Sequence, residues 1–305
     1  MEHHAHKHSA GHTHHHTHHG NSSGIATAFF LNAAFTVIEI AGGLFTNSIA
    51  IISDALHDLG DTFSLGLAWY AEKLAKRSPD SRFTYGYKRF PVLAAMANAV
   101  FLVAASVFVL TRAIPLIADP VEVNENGMLW LAVLGIIFNG AAVLRLKGGS
   151  SINQRVVRLH LLEDTLGWIA VLIGAMVMKF TYAPWIDPLL GILIAAFILF
   201  NAIRNLKDSL KIILQTFPEE SLRKKVDDGL KKISGLDSYH DVRTWSIDGN
   251  AHVYTLHVVT TSGVQASEYP RIKQEVRETL AGLGFEYITI EIDSFDEHCV
   301  LNNHS

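Results

Sequence analysis

Long stretches of this chain carry almost no charge. Gly24–Phe45 holds one ionisable residue, Glu39. Phe90–Thr111, Gly127–Leu144 and Thr165–Met178 hold none, and Ala183–Ile203 holds only Asp187. A helix needs roughly 20 mostly apolar residues to cross a bilayer, and such runs have few other uses. Asn47–Lys73 is a further run of adequate length, although it contains Asp54, His57, Asp58, Asp61 and Glu72. Thr165–Met178 reaches spanning length only when extended back to about Val156, which takes in Arg158, His160, Glu163 and Asp164. The pattern predicts six membrane helices, about 24–45, 47–74, 89–113, 126–145, 156–180 and 184–205. Only 18% of the chain is charged, against about 25% in soluble domains.

The connecting segments orient these helices. Lys73, Lys76, Arg77, Arg82, Lys88 and Arg89 lie between the second and third, Arg145, Lys147, Arg155 and Arg158 between the fourth and fifth, and Arg204, Lys207 and Lys211 follow the sixth. The segment between the third and fourth carries Asp119, Glu122 and Glu125 instead. Basic residues stay on the cytoplasmic side, so both termini are expected there, in a multi-pass protein of the lipid bilayer. A bacterial inner membrane fits the compact length. No cleavable signal peptide is expected ahead of the first apolar run.

Two segments flank the membrane part. Residues 1–23 are histidine-rich, with no apolar face to offset the entropy of ordering, and are expected to be a disordered cytoplasmic tail that binds borderline cations weakly. Deleting it is expected to change apparent metal affinity without disabling the membrane part. Beyond Ser209 the composition turns soluble. Pro218–Ile233 and Ala266–Leu283 repeat at helical spacing, while Val242–Ile247, Ala251–Thr261 and Phe285–Ile292 read as strands, the first two joined through Asp248-Gly249-Asn250. The expected organisation is a tail at 1–23, membrane helices over 24–208, a cytosolic α+β domain over 209–298 and a tail at 299–305. Cys299 is the sole cysteine, which excludes an internal disulfide, and the net charge of −4 argues against nucleic acid as a partner.

Ionisable residues inside a span are costly and mark function by default. The second span reads SDALHDLGD and the fifth RLHLLED, so each contains His-x-x-x-Asp: His57 with Asp61, and His160 with Asp164. Residues four apart share a helix face. Two such faces turned together offer two imidazoles and two carboxylates, a set suited to a tetrahedral zinc ion and to its charge. Asp54 is the next candidate ligand or access-path group, with Asp58 and Glu163 as neighbours.

These residues give the chain a clear resemblance to the cation diffusion facilitators, zinc-transporting membrane proteins of the cobalt–zinc–cadmium resistance type with six spans and a cytosolic ferredoxin-like domain. The matching stretches are NSIAIISDALHDLGD, RFTYGYKRFPVLAA, HLLED, WIDPLLG and SYHDVRTWSI. The resemblance implies that His57, Asp61, His160 and Asp164 form the transport site, that zinc leaves the cytoplasm in exchange for protons by alternating access, and that the protein is a homodimer. His57 points to zinc, since relatives with aspartate there accept cadmium or manganese more readily; cobalt and cadmium are the alternatives. In the soluble domain the resemblance carries a weaker regulatory metal site onto His240, His257 and Glu291. Here His240 is read just before the first strand, and Asp293 shares a strand face with Glu291. His298 and Cys299 are possible additions. A further site held by some members between the second and third spans is expected to be absent, because Ala75–Lys88 contains no histidine. No organic cofactor is expected.

Two rivals use the same residues. A membrane metalloenzyme would need an open coordination position and a base, for which Glu163 is available, but four protein ligands close the shell. A metal sensor would have no use for ligands at membrane depth. The chain is therefore read as a transporter and not an enzyme.

Overall fold

The computed structural model describes residues 22–145, 152–217 and 220–295, apart from the side chains of residues 22–29, 31, 145, 152–157 and 220. The histidine tract up to residue 21, and His298 and Cys299, lie outside the described residues.

Six long helices come first: α1 (Ser22–Thr46), α2 (Ile49–Ala75), α3 (Phe90–Ala118), α4 (Glu125–Arg145), α5 (Ile152–Thr181) and α6 (Ile186–Ile213). Four of them, α3, α4, α5 and α6, hold stretches long and apolar enough to cross a membrane. In α1 the apolar stretch with described side chains is the shorter Asn32–Thr46, and α2 is interrupted by its acids. Helices α1, α2, α3 and α6 pack around one another with α2 central, while α4 and α5 form a hairpin that meets the rest lightly, through α1, α6 and a small contact with α2. The hairpin is seated on an apolar cluster of Phe35, Ile51, Met128, Trp168, Val171 and Met178. Phe35 also stacks on Phe138, with ring centroids 4.7 Å apart.

The start of α2 is fixed from another helix. Asn47 takes a left-handed turn at φ 57°, and Ser48 caps the helix by accepting from the Ile51 N–H. Asp187, in the first turn of α6, receives the Ser48 hydroxyl and the backbone N–H groups of Ile49 (2.8 Å) and Ala50 (3.4 Å). One turn on, at Gly191, a Cβ would stand 3.1 Å from Ile49 and 3.3 Å from the Ala50 nitrogen. The missing side chain allows the two backbones to come this close.

Between α2 and α3, Asp80 accepts from the Tyr87 hydroxyl and from the N–H groups of Phe83 and Arg82. These bonds hold its carboxyl below the usual range, the tyrosine contributing most. The same loop reaches the soluble domain. Lys88 Nζ donates to Glu286 at 2.8 Å, and Tyr85 packs edge-on to Tyr287.

Helix α6 runs through the composition change at Ser209 and ends at Ile213. Beyond it come α7 (Glu220–Leu230), β1 (Leu236–Ser246), β2 (His252–Thr260), α8 (Tyr269–Gly282) and β3 (Phe285–Asp293), with a single 3₁₀ turn before α8. The sheet order is β1-β2-β3. β1 and β2 form an antiparallel hairpin through the turn read from sequence, and β3 runs parallel to β2 after the α8 crossover. Val226 and Leu230 of α7, and Ile272, Val276 and Leu280 of α8, cover Tyr254, Leu256 and Val258 on one sheet face. The alternate β2 residues, His257 among them, face the other way. One expectation fails. β1 begins at Leu236, so His240 lies within the strand, paired with His257. The polar run Leu236–Asp241 has little strand preference of its own; pairing with β2 recruits it, at the cost of a register shift between His240 and Arg243 and a positive φ at Asp241.

Candidate metal centres

Helices α2 and α5 meet at one level, and the two His-x-x-x-Asp faces meet there. Asp61 Oδ2 lies 3.1 Å from His160 Nε2 on the other helix and 3.6 Å from His57 Nε2 on its own. The imidazole centroids are 6.0 Å apart. Ligand-grade atoms of His57, Asp61 and His160 all fall within 4.8 Å of one another. Asp164 stands just outside this group, its Oδ2 3.7 Å from the same His160 nitrogen. Zinc bonds of about 2.0–2.1 Å in a tetrahedron place ligand atoms about 3.3–3.4 Å apart. The observed 3.1, 3.6 and 3.7 Å bracket that edge. His57 Nδ1 is buried without a hydrogen-bond partner, and the buried Asp61 Oδ2 faces an imidazole nitrogen from each helix.

The neighbouring acids divide. Asp54 is buried on α2 and points toward α5, its Oδ1 3.8 Å from where a Cβ on Gly167 would stand. It does not belong to the converging group. Asp58 is buried toward α1, whereas Glu163 is exposed and turned from the buried Asp164. Asn32 on α1 escaped sequence reading as a contributor. Its amide donates to the Asp58 carbonyl (3.2 Å) and to Thr62 Oγ1 (2.9 Å), tying α1 to α2 beside the site. The available signal was its spacing with Thr36 and Glu39, which puts three polar groups on one face of an apolar helix.

A second cluster stands on the sheet face opposite α7 and α8. Asp293 Oδ2 lies 3.4 Å from His240 Nε2 and 3.3 Å from His257 Nδ1, and these three residues form the other ligand-grade group among the described residues. Glu291 is close to His257 as well, but at Nε2, 3.5 Å away. The two nitrogens of one imidazole point apart, so an ion held by Nδ1 together with His240 and Asp293 does not also meet Glu291 there. Glu291 can instead accept the Nε2 proton and fix the ring. Its side chain is 68% exposed.

Known proteins resemble most of the chain. The family model of the cation efflux transmembrane domain matches residues 25–214, and that of the cation efflux protein cytoplasmic domain matches residues 218–295. The metal cation efflux system protein CzcD of Cupriavidus metallidurans is 33% identical over 90% of this chain and 87% of its own length. A cadmium, cobalt and zinc/H(+)-K(+) antiporter of Bacillus velezensis is 31% identical over 95% and 92% of the two chains. The zinc transporter ZitB of Pectobacterium atrosepticum is 33% identical over 97% and 92%.

Proposed function

The chain belongs to the cation efflux family, and from that premise we propose that it carries divalent metal, zinc before cobalt or cadmium, out of the cytoplasm in exchange for protons. The observation behind this reading is the meeting of His57, Asp61 and His160 across α2 and α5 at the spacing of a tetrahedral ion's ligands, with Asp164 beside them. Metal is the cargo here. A histidine must be neutral and a carboxylate ionised to hold it, so loading expels protons and protonation expels metal. Histidine's titration range lets ordinary proton gradients drive that exchange.

The ligands come from two packing units, α2 from the four-helix group and α5 from the hairpin. Relative rocking of the units would open the site to either side without dismantling either helix. In this reading α1 and α2 also span, giving six crossings with both termini in the cytoplasm of a bacterial inner membrane, and two copies associate through the cytosolic domain and part of the membrane domain. The His240–His257–Asp293 cluster binds a regulatory ion. No bond of the cargo is made or broken except to its ligands, so the chain is not an enzyme.

The test is zinc uptake into proteoliposomes under an imposed proton gradient, comparing wild type with Asp61→Ala and Asp164→Ala. Gradient-dependent uptake lost in both variants is expected. Normal uptake in either would move the site toward Asp54 or Asp58.

A further inference from the structure

Glu39 is a carboxyl group inside a predominantly apolar helix, 0% exposed. Neither of its buried oxygens has a hydrogen-bond donor. Within hydrogen-bonding reach lies the carboxyl of Asp58 on α2. A carboxylate only accepts, so two carboxyls can bond each other only when one of them carries a proton. The other ionisable groups acting on Glu39 are also acids, Asp54 from α2 and Asp164 from α5. Helix α4, which packs on α1, has no charged residue between Glu125 and Arg145, and α1 has no other charge at all. An unpaired buried carboxylate is costly in any interior, and more so beside other acids. The cluster is not a metal cage: Glu39, Asp54 and Asp58 do not form a ligand-grade group, as the two clusters described above do.

We propose that Glu39 is a proton carrier of this transporter, holding a proton in hydrogen bond to Asp58 while the metal site is empty and releasing it when a divalent cation arrives at His57, Asp61 and His160. This rests on the transport reading above. On release the Oε–H bond of Glu39 breaks, the electron pair stays on the carboxylate, and the proton passes to water in the access path. The new negative charge then faces an added dication rather than a row of bare acids. Asp58 is the mechanical link, since it follows His57 in the chain and its carbonyl is held by Asn32 from the helix that bears Glu39.

The experiment uses the full-length protein in detergent. Zn2+ is added in weakly buffered solution at neutral pH, with bound metal measured by calorimetry and released protons by an indicator dye. Glu39→Gln keeps the shape of the protonated acid and cannot ionise. It is expected to bind Zn2+ and to release one proton fewer per ion than wild type, while Glu39→Asp restores the release. A Glu39→Gln protein that binds Zn2+ and releases as many protons as wild type overturns the proposal. Should Glu39→Gln fail to fold, infrared difference spectra decide: adding Zn2+ to wild type must erase a protonated-carboxyl band, and Glu39→Asp must shift that band. Absence of such a band in wild type refutes the proposal. A wild-type protein that binds no Zn2+, Co2+ or Cd2+ sinks the transport reading itself, and the proton assignment with it.

Discussion

Replacing Asp187 by alanine takes away the acceptor that α6 lends to the start of α2. Two strong bonds go, from the Ser48 hydroxyl and from the Ile49 N–H at 2.8 Å, while the third, from Ala50 at 3.4 Å, is marginal. Both α2 and α6 present the positive end of their dipole near this carboxylate, which compensates its charge without a basic partner. Hydrogen bonds to charged groups are worth about 1.5–3 kcal/mol each, so the two together come to about 3–6 kcal/mol. At about 2–4 °C per kcal/mol for a domain of this size, the melting midpoint should fall by roughly 6–24 °C. Asparagine keeps one acceptor oxygen and should cost about half as much. The assay is thermal unfolding of purified wild type, Asp187→Ala and Asp187→Asn in one detergent at one protein concentration. An alanine variant melting within about 2 °C of wild type would refute the reasoning. So would an asparagine variant as unstable as the alanine one, because the effect would then not follow the number of acceptors.

Other outcomes follow from the packing and the ligand geometry. Gly135→Ala would drive a methyl group into the indole of Trp168, which is 1% exposed, and overpacking of this kind costs about 1–3 kcal/mol; the same melting assay reads it, and an unchanged midpoint counts against the tight α4–α5 seam. With the membrane site removed by Asp61→Ala, equilibrium dialysis of Zn2+ against the cytosolic cluster should show a larger loss for Asp293→Ala than for Glu291→Gln, the latter about 10–100-fold. The reverse order would put Glu291 on the metal. Zinc affinity of the membrane site should fall as pH drops from about 8 to 5, because both imidazoles must be neutral to bind; an affinity flat across that window contradicts a site built on His57 and His160.

Four of the membrane helices, α3 to α6, were legible because an apolar run of spanning length suits a bilayer and little else, and the two His-x-x-x-Asp repeats were legible because helical spacing fixes which residues share a face. Relations between helices were not. Nothing in the sequence ties Ser48 to Asp187, which is 139 positions away, and Asp187 reads as an isolated charge until α6 is laid against α2. Glu39 likewise reads as a stray acid until α2 brings Asp58 to it. In the soluble domain the alternation of β2 marked its two faces, so the face that carries His257 was readable. The first half of β1 was not, because Asp237, Ser238 and Asp241 disfavour strands and are held there by their neighbour. Asp293 meets both histidines and Glu291 only one, for a reason invisible in one dimension: both acids lie on one face of β3, and only the orientation of the His257 ring tells them apart.

Strand β3 has two ends with different attachments. Near its start, Glu286 and Tyr287 grip Lys88 and Tyr85, which belong to the loop following α2. At its finish stands Asp293, shared by His240 and His257. A strand rises about 3.3 Å per residue, so these ends are roughly 23 Å apart, and an extended backbone already near full stretch cannot lengthen. Pulling on one end is therefore felt at the other as translation rather than taken up as slack. β3 is in effect an axle between the cytosolic histidines and the segment that follows the helix bearing His57 and Asp61.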